Sequence, residues 1–432
     1  MSRTLDFFRR LSSVPHGSGN TKAISDICVS IAKEFELKYY QDNLNNVIMY
    51  KDATAGYENA EPVMMQAHLD MVCVKKDDCD IDFSTQQIKI LEDDKYIFAD
   101  GTSLGADDLA GAAIMMDILT DNKAEHPALE AIFTVDEEIG MFGAKDLDYN
   151  KLNSHRLINL DSEELDIITV GCAGGERLNG IIPVEWEYCD EPVDEYSVTG
   201  LPGGHSGVMI GIEGYDNAAI LLAKKLLEIP NLRLSYFKSG LFDNAIPDSA
   251  YANAGGRKVI TKSSTQNILK YLTTVPDGLI KWSEHFEGLQ QTSLNLGIVE
   301  LKEDGLHVSH LLRSAINEEK EVLDDQVKEC IEEAGGTWKI ASKYGAWEYK
   351  EDSALRGIAR DVYREELGID PVFQATHGGL ECGIICEHIR GLDCISIGPN
   401  VLDVHTYSER LEKESVEQVN KAVRGILKRL KS

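Results

Sequence analysis

Pro62-Val63-Met64-Met65-Gln66-Ala67-His68 is an apolar run that ends on a histidine. Five apolar residues in seven, without alternation, read as a strand buried on both faces, the habit of a parallel sheet covered by helices. Similar runs return at 129–135 (LEAIFTV) and 156–160 (RLINL). Between the first two, residues 105–120 (GADDLAGAAIMMDILT) predict a helix whose acidic opening suits the helix dipole. Residues 20–36 predict another. Strands alternating with helices argue for α/β architecture with a mainly parallel, doubly wound sheet. Such sheets gather their chemistry beyond the strand ends.

Past Gly171-Cys172-Ala173-Gly174-Gly175 the character changes. Residues 176–200 and 289–314 read as half-polar antiparallel strands, and 216–229 and 317–334 as helices lying on one face of such a sheet. The α/β pattern returns near Trp347, with a helix at 351–366, a strand at 392–397 (LDCISI) and a helix at 415–430. Ser415-Val416-Glu417-Gln418 spells a capping box for that last helix. One α/β domain, residues 1–173 and 347–432, is therefore expected to be interrupted by an inserted α+β domain at 174–346. A chain of 432 residues also exceeds what one ordinary core encloses.

Lys and Arg total 43 against 73 Asp and Glu, a net charge of -30. That field repels phosphate backbones and anionic lipid, so neither nucleic acid nor membrane is expected as a partner. The densest basic run, Arg424, Lys428, Arg429 and Lys431, reads as a helix end matched to its dipole. The nine cysteines form no CxxC pair. Cys28, Cys172, Cys382, Cys386 and Cys394 sit in apolar surroundings, as reduced core cysteines do. The N-terminus reads as an amphipathic helix and a turn, and no stretch approaches the roughly 18 apolar residues of a spanning helix. A cytoplasmic protein is expected.

Five residues of metal-ligand type stand in these strand-end and helix-start settings: His68, Asp107, Glu138, Asp161 and His405, in QAHLD, GADD, TVDEEIG, INLDSEE and DVHT. Two imidazoles and three carboxylates can hold two divalent cations if one carboxylate bridges. Asp107 suits that role, one oxygen to each ion, at a separation of ~3.5–4 Å. Asp70, two residues after His68, is placed to orient its ring. Glu137 beside Glu138 offers an unbound acid next to a ligand, as a general base requires. Zinc fits the mixed donor set best, with Mn²⁺ or Co²⁺ as alternatives.

QAHLDMV, DGTSLGAD, FTVDEEIGMFGAKDL, LINLDSEE, GCAGG, GGHSG, NAIP and HGGLECG, followed by SIGP and the late histidine, resemble the aminoacyl-histidine dipeptidases. That branch belongs to the two-zinc superfamily of carboxypeptidase G-like enzymes, carnosinases and amino-acid deacylases. The resemblance covers the chain from about residue 5 onward. It implies that Asp107 bridges, that His68 and Asp161 hold one zinc, and that Glu138 and His405 hold the other. It further implies a homodimer joined through the inserted domain, in which His205 (within Gly203–Gly207) polarises the scissile carbonyl, often that of the partner subunit's substrate. Asn244 and Arg313 match contacts to the substrate's oxygen and C-terminal carboxylate. The implied activity is hydrolysis of Xaa-His-type dipeptides, with a tripeptidase or an N-acyl amino-acid deacylase on the same scaffold as the alternative. A cis Asp107–Asp108 bond is also implied. The chain departs from the branch at Asp108, where these dipeptidases more often carry Asn. His16, His126, His155, His285, His307, His310 and His388 show no partner pattern, and His377 suits either a turn or the site.

Overall fold

The computed structural model describes residues 2–431. Internal contacts divide the chain into two units: Met1–Val170 with Lys350–Gln374 and Leu380–Ser432, and Gly171–Tyr349 with Ala375–Gly379. The boundaries read from the sequence lie three residues from each major division. The short piece Ala375–Gly379 had no sequence signal.

An eight-stranded sheet organises the first unit. Its order is Lys38–Gln41, Val47–Lys51, Leu129–Thr134, Val63–His68, Arg156–Asn159, Asp393–Ser396, Ile167–Cys172 and Val372–Thr376. The four middle strands run parallel, while Val47–Lys51 and Ile167–Cys172 join them antiparallel. Every residue of Val63–His68 and of Leu129–Thr134 is buried, the polar Gln66 and Glu130 included. The helix Ala106–Thr120 packs on Val63–His68 and on the N-terminal helix Arg3–Leu11. It is buried on all sides, which its run of Ala, Ile, Met and Leu allows.

One local expectation fails. The last helix is Lys413–Arg429 and begins two residues before the proposed capping box. Ser415 is already inside its first turn, where its hydroxyl donates to the Glu412 carbonyl and accepts the Asn400 N–H. With the helix starting at Lys413, Ser415 has no N-cap position to fill, and its hydroxyl serves a contact to the Asn400 backbone instead.

The second unit is built on a seven-strand antiparallel path: Trp186–Val198, Ala250–Ile260, Leu234–Ser239, Gln290–Lys302, Gly305–Ser314, Gly174–Ile182 and Thr337–Tyr344. Ala218–Leu227 and Asn317–Glu333 pack on this sheet, and Lys262–Thr274 packs against both helices. Leu178, Leu222, Phe237, Ile268, Leu294, Leu312 and Val327 make the core between the layers. No helix among the described residues is long and apolar enough to cross a membrane.

Candidate metal centre

Because Val63–His68, Leu129–Thr134 and Arg156–Asn159 run parallel, the loops after them emerge at one edge of the sheet. His68 closes the first strand with its side chain 1% exposed. Its Nε2 lies 3.0 Å from Asp107 Oδ1 and 3.6 Å from Asp161 Oδ1. Its Nδ1 faces Asp70, 3.0 Å from the carbonyl oxygen and 3.6 Å from Oδ1. His405, at φ 61 in the loop after Val401–Leu402, brings Nε2 to 2.8 Å from Glu138 Oε1 and 3.3 Å from Asp107 Oδ2. Asp107 thus turns one oxygen toward each imidazole. Donor atoms of His68, Asp107 and Glu138 lie within 4.8 Å of one another.

Asp107 is held by its approach loop. Gly105 adopts φ 69, where a Cβ would also come 2.9 Å from His16 Nε2, so glycine is required on both counts. The buried Glu409 carboxylate accepts the N–H groups of Leu104, Gly105 and Ala106 at 2.8, 3.1 and 2.7 Å. The Asp107–Asp108 peptide bond is cis, as the resemblance implied. Asp108 Oδ1 accepts the Gly111 N–H at 3.1 Å, and a Cβ on Gly111 would stand 2.4 Å from that oxygen.

The turn carrying Glu137 and Glu138 starts at Asp136, φ 56. Asp70 Oδ1 accepts the Glu137 N–H at 3.1 Å and Oδ2 the Glu138 N–H at 3.4 Å. The Asp70 carboxylate ties the strand end of His68 to the acidic turn, while the hydrogen bond to the His68 ring falls on the Asp70 carbonyl. Beneath the ligands, Gln66 and Thr134 both donate to Glu381 Oε2, Asn159 donates to Gln66 Oε1, and the Asp161 N–H reaches Asn159 Oδ1 at 3.4 Å. Gln66 and Asn159 stand two residues before His68 and Asp161. The period of two that puts them on the ligand face was a usable sequence signal. Glu381 and Glu409 had none.

The electrostatics mark a site short of positive charge. Hydrogen bonds to Asp107 and Glu138 outweigh partial burial and push His405 up to about 11. Burial would lower the pKa of His68, but bonds to Asp107, Asp161 and Asp70 raise it well above its ordinary value. Burial lifts Asp161 to about 7 and Glu137 well above the carboxylate range, and neighbouring acids add to both shifts. Asp108 is raised likewise, by burial and then by Asp161. Two imidazoles among crowded carboxylates form a donor set that fits divalent cations.

The other three predicted residues gather in the second unit. Gly204–His205 pairs antiparallel with Ala245–Ile246, and the Ser206 N–H donates to the Asn244 carbonyl at 2.8 Å. A Cβ on Gly207 would lie 2.9 Å from His205 Cε1 and 3.6 Å from Arg313 Cζ, so the three share one surface. His205 and Asn244 are exposed, and their side chains make no hydrogen bond among the described residues. Arg313 is buried rather than in a surface ion pair, with Nη1 3.5 Å from the His377 carbonyl. His377 joins this cluster, its Nε2 2.7 Å from Ser293 Oγ. Partial desolvation, and then the Arg313 charge, lower the pKa of His205, whereas burial, and then Arg313, bring His377 down to about 3.

Comparison with known proteins agrees in sequence and in shape. A family model described as peptidase family M20/M25/M40 matches residues 64–429. The cytosol non-specific dipeptidase of Escherichia coli (strain K12) is 31% identical over 456 residues, covering 95% of this chain and 94% of that protein. The crystal structure of aminoacylhistidine dipeptidase from Vibrio alginolyticus superposes with a TM-score of 0.89 at 29% identity, over 98% of this chain and 96% of that one. The Bacillus subtilis YXEP protein, described as a dinuclear metal binding peptidase from the M20 family, shares the fold with a TM-score of 0.51 at 14% identity, over 98% and 96%.

Proposed function

This chain belongs to peptidase family M20/M25/M40, and from that premise we propose that it hydrolyses short dipeptides, Xaa-His among them, at a two-metal centre. One observation carries the reading: Asp107 offers Oδ1 to the His68 side and Oδ2 to the His405 side. His68 and Asp161 would hold one ion and Glu138 and His405 the other, with zinc the best match to the donors. Divalent ions at such a centre acidify water and polarise a carbonyl. Glu137 takes the proton of the attacking water and returns it to the leaving amine. Its buried carboxyl, raised well above the usual range, suits a group that must hold a proton between the two steps. Asp70 keeps the His68 ring and the Glu137 backbone in register. Arg313 would grip the substrate's terminal carboxylate, and His205 and Asn244 would donate to the developing oxyanion. The last two are exposed, and we propose that His205 serves the site of a partner subunit in a cytoplasmic homodimer.

The test is a panel of dipeptides, free and N-acetylated, assayed after chelation and again with Zn²⁺, Mn²⁺ or Co²⁺ restored. Metal-dependent cleavage of free dipeptides is expected. Preferential cleavage of the N-acetylated set would favour a deacylase, and full activity in demonstrably metal-free protein would refute the metal mechanism.

A further inference from the structure

Ser18 belongs to no ligand pattern, yet its hydroxyl lies on Asp70. Past the N-terminal helix Arg3–Leu11, the chain runs alongside Met71, the residue next to Asp70. The Met71 N–H donates to the His16 carbonyl at 3.1 Å, and the Ser18 N–H donates to the Met71 carbonyl at 3.3 Å. Ser18 Oγ then donates to Asp70 Oδ2 at 2.8 Å. One residue on, Gly19 at φ 78 turns its N–H onto Asp136 Oδ1, 2.6 Å away. Asn20 Nδ2 anchors the end of the segment on the Ser84 carbonyl at 3.0 Å.

These bonds grip the acidic turn from two directions. Asp136 immediately precedes Glu137, and Asp70 accepts the N–H groups of Glu137 and Glu138. Asp70 is fully buried, and among the described residues no other side-chain hydroxyl or amide donates to it. Carboxylate torsions are broad and soft. The Glu137 N–H holds Oδ1 at 3.1 Å, but the Glu138 N–H reaches Oδ2 only at 3.4 Å, and the 2.8 Å bond from Ser18 supplies the closer hold on that second oxygen.

We propose that Ser18 is a positioning residue for the hydrolysis inferred above. Acting through Asp70, with Gly19 acting through Asp136, it sets the Glu137–Glu138 turn against His68. The inference rests on the reading of Glu137 as general base. A base must lie within ~2.6–3.2 Å of the proton it takes, and a displacement of about 1 Å can cost ~10²-fold.

The experiment compares metal-loaded wild type, Ser18→Ala and Ser18→Thr on the panel dipeptide that wild type cleaves fastest. It measures kcat, KM, bound metal and Tm. Losing one hydrogen bond to a charged group predicts a roughly tenfold to hundredfold fall in kcat for Ser18→Ala. KM and metal content should stay within about twofold, as expected when the loss falls on the chemical step. Ser18→Thr, which keeps the hydroxyl, should recover most of the rate. The proposal is overturned by a Ser18→Ala rate within about twofold of wild type, by a loss that tracks metal or Tm, or by a Thr variant as slow as Ala. A wild type that cleaves no dipeptide would instead overturn the dipeptidase reading, so the two failures are distinct.

Discussion

Glu137 and Glu138 are chemically identical neighbours that their surroundings separate. Glu138 Oε1 meets His405 Nε2 at 2.8 Å, whereas the Glu137 carboxylate has no hydrogen-bond partner among the described residues. Glu138→Gln should lower the bound metal, because an amide is a poor replacement for an anionic ligand. Glu137→Gln should keep the metal and lose ~10²–10⁴ in kcat, the usual worth of a general base. Metal analysis beside steady-state kinetics checks both. Identical behaviour of the two variants would show that the roles are misassigned. The adjacency of the pair was legible in TVDEEIG, but which glutamate faces a histidine 267 residues away was legible only through the resemblance.

At the scale of elements, the strand Gly305–Ser314 carries a pH liability unrelated to the metal centre. His310 is fully buried, its Nε2 2.6 Å from Tyr271 Oη, while Nδ1 has no partner. Burial holds its pKa down to about 3 against 6.5 for the free side chain. Below pH 6.5 the unfolded chain takes up a proton that the folded chain refuses, so this contribution is intact above pH 6.5 and is lost as the pH falls toward 3. Between pH 7 and pH 5 the loss amounts to about 2 kcal/mol. Urea titrations should show wild type losing about 2 kcal/mol more stability than His310→Gln between pH 7 and pH 5. Parallel loss of stability in both proteins would mean that His310 is not responsible. The sequence marked His310 only as a histidine without a partner pattern. Its depth comes from pairing of Gly305–Ser314 with its hairpin neighbour Gln290–Lys302 and with the distant Gly174–Ile182.

For the whole molecule, the decisive question is whether one chain completes a site alone. His205 sits on a two-residue ladder in the inserted unit, exposed and unbonded, as a side chain offered to another subunit would be. If it acts in a partner's site, mixing His205→Ala with Glu137→Gln creates heterodimers with one intact site each. Free reassortment of an isologous dimer should then restore roughly a quarter of wild-type activity. Subunit exchange proven by mass spectrometry, without recovery, would place His205 in its own chain's site or in none.

The sequence by itself determined the family and the kind of scaffold, and it placed the candidate metal donors beside the strand ends. Largely apolar runs ending in His68 or leading to Glu138 and Asp161 specify buried parallel strands, and a parallel sheet presents the loops beyond those strands along one edge. Local order was enough for that, because strand burial and ligand identity are written within a few residues of each other. Only the tertiary structure decided what holds the ligands still. Ser18 on Asp70, Glu409 under the Asp107 loop and Glu381 beneath Gln66 and Thr134 are bonds between residues 52 to more than 300 positions apart. Ser415 likewise meets the Asn400 N–H only in the folded chain. Side-chain hydrogen bonds have no period along the chain, and their partners meet only after the sheet has formed.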